Sequence, residues 1–470
     1  MQGITPMYFM NFSNSSTTPA RGLHHRLTDL LECFFVAHPK SGRKEGEEAK
    51  RVMYFFPKTE PLDKQTEITG FAEAVMNFTD NFVAPATVQR NIASDHAQYR
   101  DVVTGKTVHS YVMVEQAEFL FGIVLIRKAC VDMEYTIFAP AMRAILTNAH
   151  KTFRLFFGNL TQFQMEDPAK FKDRLEYFFS RYLVQQRVHQ MPLLDYFPGV
   201  PFLTLNSDVF TDVDAYVAEL LEQFPQVDKL LFLYQDKLVY YTVAKKDLPP
   251  LMGYLTNNLI PMSLRTELEP NTTHSSRSQQ GKFLAGPREL TTDEPIDGDD
   301  CVPTVYLAAD EETKELTPYH LIPYRCLNAT VCMFVKENVT RHLLRSMDGF
   351  LDTELPHLAS SIAESYSSQP EQTRPCTDFH YIYFNPSSLS LKTSLACDSF
   401  DKLMENDEEF GECSVRADNE WWIYVKKATQ RTLVLFIPPS TNTTLDEFHR
   451  RVQAIVKNYF QSVFIISEQK

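Results

Sequence analysis

Two spacings of hydrophobic residues alternate along the chain. Leu30–Ala37 and Arg51–Phe56 are rich in β-branched and aromatic residues, and the Gly-, Lys- and Glu-rich segment Pro39–Ala49 lies between them. This order predicts two strands joined by a long hairpin loop. The next apolar residues recur at intervals of three and four, which predicts an amphipathic helix. They are Ile68, Phe71, Ala72, Val75, Phe78 and Phe82.

The rest of this first block continues with strands and then with helices. Strand-like runs occur near Ala86–Ile92, Val108–Val114 and Phe119–Arg127. Helical spacing returns between Met142 and Phe156 and again between Phe171 and Leu183. The order strand, strand, helix, three strands, helix, helix predicts an α+β domain in which helices cover a sheet.

A second block begins after the proline-rich hinge Met191–Pro201. Three strands near its end precede a helix from about Thr340 to Ser367, and the polar residues near 262–280 predict a mobile insertion. The earlier predicted elements are a strand Phe202–Leu205, a helix Val209–Phe224, a hairpin Lys229–Val243 that turns at Gln235 and Asp236, and a helix Lys245–Leu259.

The third block has the same alternation. A strand is predicted at Phe379–Phe384 and another near Leu389–Leu395, followed by a hairpin of Trp421–Lys427 with Thr432–Ile437. A helix is predicted to begin at Thr444, because Glu447 three residues later completes a capping-box pattern.

Three domains of one class follow from these blocks. The chain has 470 residues, and roughly one domain per 150 residues is usual. The predicted fold class is α/β (α+β), with three domains that each have an antiparallel-rich sheet covered by helices. Their predicted bounds are 24–190, 196–367 with the insertion near 262–280, and 376–470, after a flexible N-terminal tail at 1–23.

The amino-acid composition limits the classes of partner that the chain is expected to bind. Hydrophobic residues make up 44% and charged residues 23%, as in ordinary globular proteins. The formal net charge of -14 repels a polyanion, so nucleic acid is excluded as an expected partner. The longest apolar run, Phe119–Ile126, is far shorter than the roughly 20 residues of a membrane-spanning helix.

Patterns for covalent chemistry or cofactor binding do not occur in the sequence. It contains no G-x-x-x-x-G-K-[ST] loop, no G-x-G-x-x-G, no H-E-x-x-H, no C-x-x-C and no G-x-S-x-G. We therefore expect no catalytic residue, no cofactor and no metal site. The alternative is an enzyme whose site is assembled from scattered residues without a motif.

Eight stretches resemble one known family. The sequence is similar to the Ccz subunit of the Mon-Ccz exchange complex, the vacuolar fusion protein family, from about residue 27 to the C-terminus. The matching stretches are Tyr54–Pro57 (YFFP), Phe71–Phe82, Asp173–Leu183 (DRLEYFFSRYL), Leu231–Tyr240 (LFLYQDKLVY), Tyr254–Pro261, Gly281–Pro287 (GKFLAGP), Phe379–Asn385 (FHYIYFN) and Trp421–Lys427.

This resemblance implies a fold and a function. It implies three longin domains, pairing with a Mon-type longin subunit, and action on the late-endosomal Rab GTPase (Rab seven), from which the pair releases GDP. It further implies a third scaffold subunit in animals, recruitment to a phosphoinositide membrane surface, and a cytoplasmic location at late endosomes and lysosomes. A longin-type adaptor or coat subunit without exchange activity is the alternative, since it would have the same domains.

Candidate partner-binding residues come from the first block. They are the polar positions Glu67, Glu73 and Asn77 of the first helix, with Lys40 and Lys44 of the hairpin loop. The alternative for each is ordinary solvated surface, because every amphipathic helix has a polar face.

Overall fold

A computed structural model describes most of the chain. The described residues are 24–42, 44–80, 98–189, 192–268, 281–287, 289–291, 296, 301–312, 315–368, 378–394, 411–416, 421–428, 431–438 and 444–460. They form three large antiparallel sheets with helices packed on them, so the predicted α/β class is confirmed.

The first unit is built on a five-stranded sheet in the order β3-β2-β6-β5-β4. Its elements are β1 (His24–Arg26), α1 (Leu27–Leu30), β2 (Leu31–Ala37), β3 (Val52–Phe56), α2 (Leu62–Asp80), β4 (Gln98–Val103), β5 (Thr107–Val114), β6 (Phe119–Ile126), α3 (Arg127–Asp132), α4 (Ala139–Phe157), α5 (Leu160–Glu166), α6 (Pro168–Gln185), β7 (Arg187–His189) and α7 (Pro192–Tyr196).

Both faces of this sheet are apolar because both are covered. Strand β2 alternates between the two sides: Phe34 and Val36 lie in the core beneath α4 and α6, whereas Cys33 and Phe35 lie in the core beneath α2. A strand buried on both faces is a continuous apolar run rather than an alternating one. This explains the uninterrupted apolar composition of β6.

The second unit has a six-stranded sheet in the order β10-β12-β13-β8-β9, with β11 also paired to β12. Its elements are α8 (Ser207–Gln223), β8 (Val227–Tyr234), β9 (Lys237–Tyr241), a 3-10 turn (Lys245–Asp247), α9 (Leu248–Tyr254), a π-helical turn (Leu255–Leu259), α10 (Ile260–Leu268), β10 (Lys282–Phe283), β11 (Thr304–Ala308), β12 (Leu316–Cys326), β13 (Ala329–Val335) and α11 (Arg341–Ser368).

Helices lie on both sides of this sheet too. Leu230 and Phe232 of β8 face the core shared with α8 and α11, and Leu231 and Leu233 face the core shared with α9. The hairpin of β8 and β9 turns at Gln235, whose φ is 56°, as predicted.

The third unit has a five-stranded sheet in the order β15-β14-β18-β17-β16. Leu433 and Leu435 pack against the long helix that the structure describes in this unit, while Val434 and Phe436 of the same strand face the opposite core. Its elements are β14 (His380–Asn385), β15 (Ser390–Thr393), β16 (Glu412–Arg416), β17 (Trp422–Ala428), β18 (Arg431–Ile437) and α12 (Leu445–Tyr459).

Helix α4 contributes to the cores of all three units. Phe153 is fully buried in the first core, and Leu155 is buried in the core of the second unit. Phe156 lies between them, with its ring centroid 4.8 Å from that of Tyr254 in α9. At the other end of α4, the N-cap residue Phe138 packs on the third sheet.

A short connecting segment joins the second and third sheets. Val200 makes a parallel bridge to Ser390 of β15, and Phe202 makes a parallel bridge to Leu238 of β9. Within the strand predicted at Phe202–Leu205, only Phe202 forms a bridge, so the range is not a strand. The two ends of the segment pair with the edge strands of two different sheets, so some backbone groups at these edges are hydrogen-bonded.

Several sequence predictions differ from the structure. The strand near Ala86–Ile92 lies outside the described residues, and the strand before β5 is β4 at Gln98–Val103. Residues 262–268, expected to be mobile, continue α10, while 269–280 lie outside the described part. The capping site at Thr444 is confirmed, because its side chain accepts a hydrogen bond from Glu447 N.

Glu115 joins the turn after β5 to two helices. Its carboxylate accepts hydrogen bonds from Leu160 N and Thr161 N at 2.8 Å each, at the start of α5, and from His150 Nε2 of α4 at 3.0 Å. Burial pushes the pKa of Glu115 upward, but the bonds from His150 and Thr161 outweigh it and the pKa is lowered. The ionised form therefore stabilises the fold.

We expect opposite effects from alanine at two glycines of the first unit. A Cβ on Gly122 would lie 2.2 Å from the buried ring of Phe35, so Gly122→Ala should lower the free energy of unfolding by about 1–3 kcal/mol. Gly70, in the middle of α2, has no atom within 4 Å of such a Cβ, and Gly70→Ala should raise it by about 0.5–1 kcal/mol. Urea denaturation of both variants measures the free energy of unfolding. Equal changes in the two variants would contradict the packing described.

We expect acid to remove the contribution of Glu115. Because its folded-state pKa lies below the ordinary value, its stabilisation is full above that value and is lost as pH falls through the folded-state pKa. Glu115→Gln should cost about 2 kcal/mol at pH 7, and the deficit should narrow between roughly pH 5 and pH 3. A pH-independent deficit in urea titrations would contradict the assignment.

Candidate functional site

The hairpin loop and helix α2 are fastened together by one arginine. Arg51 Nη1 donates to Glu73 Oε2 at 2.9 Å, and its Nε and Nη2 both donate to Gly42 O at 3.2 Å. The guanidinium group can do this because its donors form a rigid planar fork. The loop therefore has a fixed position relative to the middle of α2.

Glu73 is a structural residue, which corrects its prediction as an exposed contact. It is 9% exposed and points inward beside Ala72 and Met76, toward Arg51. Burial raises the pKa of Glu73, and the charge of Arg51 and the hydrogen bond from it oppose that rise. A partner protein cannot reach this carboxylate without opening the loop.

Lys40 forms a contact within the chain but remains partly exposed. Its ammonium group hydrogen-bonds Glu118 Oε1 in the turn between β5 and β6, and Glu118 Oε2 is 3.4 Å from His38 Nε2. The bond from Lys40 is the main reason that the pKa of Glu118 is lowered. The side chain of Lys40 remains 47% exposed, and Lys44 is exposed.

Glu67 and Asn77 are exposed on α2, as predicted. Ten residues separate them, which places them about 15 Å apart along the helix. Of the five predicted residues, Glu67, Asn77 and Lys44 are exposed, Lys40 is partly exposed, and Glu73 is buried.

Two phenylalanines on α2 face outward, although the apolar spacing predicted them in the core. Phe71 is 45% exposed and Phe78 is 64% exposed. The buried side of the helix is formed by Ala72 and Met76, and successive residues turn by 100°, so Phe71 lies on the flank of that side. Phe78 is one heptad after Phe71 and lies on nearly the same line. Their seven-residue spacing is the sequence pattern that places both phenylalanines on the same side of the helix.

Strand β4 extends this surface along the edge of the sheet. The guanidinium of Arg100 donates to Thr79 Oγ1, which fastens the end of α2 to the strand. Within the described residues β4 pairs only with β5, so it is an edge strand of the described sheet. Val103 on β4 is 68% exposed. We call α2 with β4 the α2–β4 surface.

The α2–β4 surface combines exposed aromatic and polar side chains. No group of three or more His, Cys, Asp or Glu residues able to hold a metal ion occurs in the described ranges. Exposed aromatic side chains beside polar ones are typical of protein contact surfaces. No helix among the described residues is both long and apolar enough to cross a membrane.

Two protein-family models match the chain. The model "First Longin domain of INTU, CCZ1 and HPS4" matches residues 31–158, which include α2 and β4. The model "Intu longin-like domain 2" matches residues 227–353 in the second unit. Two longin-like domains are thereby established, and the third predicted one lies outside both matches.

Relatives are similar over almost the whole chain. A protein named "Vacuolar fusion protein CCZ1 homolog" from Nematostella vectensis is 26% identical over 94% of this chain and 99% of its own length. A protein of that name from Xenopus laevis is 26% identical over 95% and 99%. One from Dictyostelium discoideum is 19% identical over 92% and 98%. The resemblance carried by the eight sequence stretches is confirmed.

We expect removal of Arg51 to destabilise the first unit by leaving Glu73 buried and unpaired. Arg51→Met keeps the aliphatic stem and should cost on the order of 2 kcal/mol at pH 7. Because the pKa of Glu73 is raised, its protonated form stabilises the fold at low pH and this contribution is lost as pH rises through the folded-state value. The deficit of Arg51→Met should therefore shrink toward pH 4.

The matched control is Lys50→Gln. Lys50 lies next to Arg51 and pairs with Glu47 at the surface, so its loss should stay within about 0.5 kcal/mol. Equal unfolding free energies for the Arg51 and Lys50 variants would show that the Arg51–Glu73 contact does not fasten the loop.

Proposed function

We propose that this chain is a Ccz-family vacuolar fusion protein that acts as a non-catalytic subunit of a guanine-nucleotide exchange factor for the late-endosomal Rab GTPase (Rab seven). Membership of this family supports a role in membrane trafficking at vacuoles or endosomes, and its longin domains imply a multi-subunit complex. The proposal adds the exchange activity, the identity of the Rab and the partner.

The proposed complex pairs this chain with a Mon-type longin subunit. In animals it includes a third scaffold subunit, and the complex meets a phosphoinositide membrane surface at late endosomes and lysosomes. The net charge of -14 argues against nucleic acid as a partner. Recruitment is peripheral in this proposal, through the assembled complex.

Exchange needs no covalent step from this chain. Nucleotide and Mg²⁺ hold the switch loops of a GTPase in one arrangement, and a protein that binds another arrangement better weakens nucleotide binding by the same factor. The requirement is therefore a rigid surface with differential affinity. Helix α2, fastened by Arg51 at its middle and by Arg100 near its end, meets the requirement for rigidity.

The outward-facing pair Phe71 and Phe78 is the observation that carries this proposal. Aromatic side chains dominate binding energy at protein interfaces when a partner buries them. Glu67 and Asn77 flank the two rings and would supply the polar rim. The same surface can serve the Mon-type subunit or the Rab, since both contacts would lie on the first longin domain.

We expect Phe78→Ser to weaken exchange. Release of a fluorescent GDP analogue is measured from a panel of Rabs, with this chain, with the Mon-type subunit, and with both. Acceleration should require both subunits and should be confined to the late-endosomal Rab. Phe78→Ser should reduce it by about tenfold, because an exposed aromatic anchor is lost without disturbing a core.

The matched control is Tyr459→Ser. Tyr459 is 62% exposed on α12 of the third unit, so its removal changes exposed aromatic area by a comparable amount at a different place. It should leave exchange unchanged. No acceleration with any combination of subunits would refute the exchange proposal and favour a longin-type adaptor or coat subunit. An equal loss of exchange in the Phe78 and Tyr459 variants would show that the α2–β4 surface has no specific role in exchange.

A further inference from the structure

A half-buried histidine lies beneath the α2–β4 surface. His109 of β5 comes two residues before Tyr111, which belongs to the core beneath α2. Side chains two residues apart in a strand share one face of the sheet, so His109 also points toward α2. Its ring meets that of Phe71 edge to face, with centroids 5.9 Å apart and planes inclined by 64°. His109 therefore connects an exposed ring of α2 to the sheet.

Hydroxyl groups contact both nitrogens of this imidazole. Nδ1 lies 2.7 Å from the hydroxyl oxygen of Tyr111, and Nε2 lies 2.8 Å from Thr107 Oγ1. Thr107 Oγ1 lies 2.8 Å from Thr104 Oγ1, and Thr104 Oγ1 donates to Thr107 O at 3.1 Å. Four side chains thus form one series of hydrogen bonds from the β4–β5 turn to the core.

The direction of each hydrogen bond in this series follows from the number of protons. A hydroxyl group has one proton to donate, and the proton of Thr104 goes to Thr107 O. The Thr107 hydroxyl therefore donates to Thr104 Oγ1, and its oxygen accepts from His109 Nε2. Burial raises the pKa of Tyr111, so its hydroxyl keeps its proton and donates it to His109 Nδ1. This arrangement requires a neutral imidazole with its proton on Nε2.

A second proton on the ring would break the series. A proton on Nδ1 makes that nitrogen a donor, so the Tyr111 hydroxyl has to turn its own proton away. Tyr111 is 0% exposed, and within the described residues its hydroxyl has no second hydrogen-bond partner. A buried donor without an acceptor costs free energy. The geometry therefore favours the neutral ring.

The surroundings of His109 favour the neutral ring too. Burial lowers the pKa of His109, and the charge of Glu32 in β2 opposes that shift. The residues paired with His109 in the sheet, Val102 and Val124, are uncharged. Because the folded-state pKa lies below the ordinary value of 6.5, the contribution of the neutral ring to stability is full above that value. It is lost as pH falls through the folded-state pKa.

We propose that His109 is a positioning residue for Phe71: its neutral imidazole holds the phenylalanine ring outward on the α2–β4 surface, and a proton on Nδ1 releases that ring. An edge-to-face contact depends on the orientation of both rings, and two hydrogen-bonded nitrogens fix the orientation of the imidazole. The inference rests on the proposed function, since it concerns regulation of the same surface. Acid should then weaken binding at this surface.

The first test uses Phe71→Trp as a fluorescent reporter in the full chain without a partner. The two natural tryptophans, Trp421 and Trp422, lie in the third unit, and the emission of the chain without the reporter is subtracted. Because a protonated imidazole quenches a tryptophan that it contacts, the reporter emission should fall with a midpoint below pH 6.5. Adding His109→Gln should abolish this titration, since glutamine stays neutral and can both accept and donate.

The matched control for the reporter is His357→Gln. His357 is an exposed histidine of α11 in the second unit, so its loss should leave the midpoint unchanged. A reporter without a titration, or the same titration after His109→Gln, would overturn the proposal.

The second test is the exchange assay with both subunits. His109→Leu removes both hydrogen bonds of the ring and should slow GDP release about fivefold, within the coupling usual for residues in contact, whereas His109→Gln should stay close to wild type. In a Phe71→Ser chain, His109→Leu should cause no further loss, because a positioning residue acts only through the ring that it positions.

The outcomes separate this inference from the proposed function. An equal further loss in the Phe71→Ser chain would show that His109 acts through general stability, and would overturn the inference. Absence of exchange with wild-type subunits would refute the proposed function, whereas the reporter titration would still decide whether His109 positions Phe71.

Discussion

Helix α4 is buried against more than one sheet, and the arrangement of the units depends on this. Phe153 occupies the first core, Leu155 the second, and Phe138 at the N-terminal end contacts the third. Burying a Leu or Phe side chain is worth about 1.5–3 kcal/mol, so each contact adds to the cost of separating the units. A helix cannot bend freely between adjacent turns. Contacts made by one helix and its N-cap residue therefore link all three units.

The contacts of α4 determine which surfaces of the first unit are covered and which remain exposed. Helix α4 places Lys151 and Arg154 beside Asp247 and Lys246 of the second unit. The α2–β4 surface remains accessible because α4 and α6 cover the opposite face of the first sheet.

Much of the fold was predictable because local patterns determine it. Thr444 caps α12 and Gln235 turns the β8–β9 hairpin, and both depend on residues near in sequence. The candidate site was predicted less completely. Glu73 occupies a polar position of α2 but is withdrawn by Arg51, which is 22 residues away. Phe71 and Phe78 have the right spacing for a core helix, yet Ala72 and Met76 form the buried side of α2.

The sequence by itself determined the class of fold, the absence of known catalytic and nucleotide-binding motifs, and the resemblance to the Ccz family, because these depend on residue types, their spacing and their order. Only the tertiary structure decided which side chains are exposed on α2, that α4 serves several cores, and that Lys151 faces Asp247 from another unit. Those properties arise from contacts between residues distant in sequence. A single sequence records the residues of such contacts but not their distances.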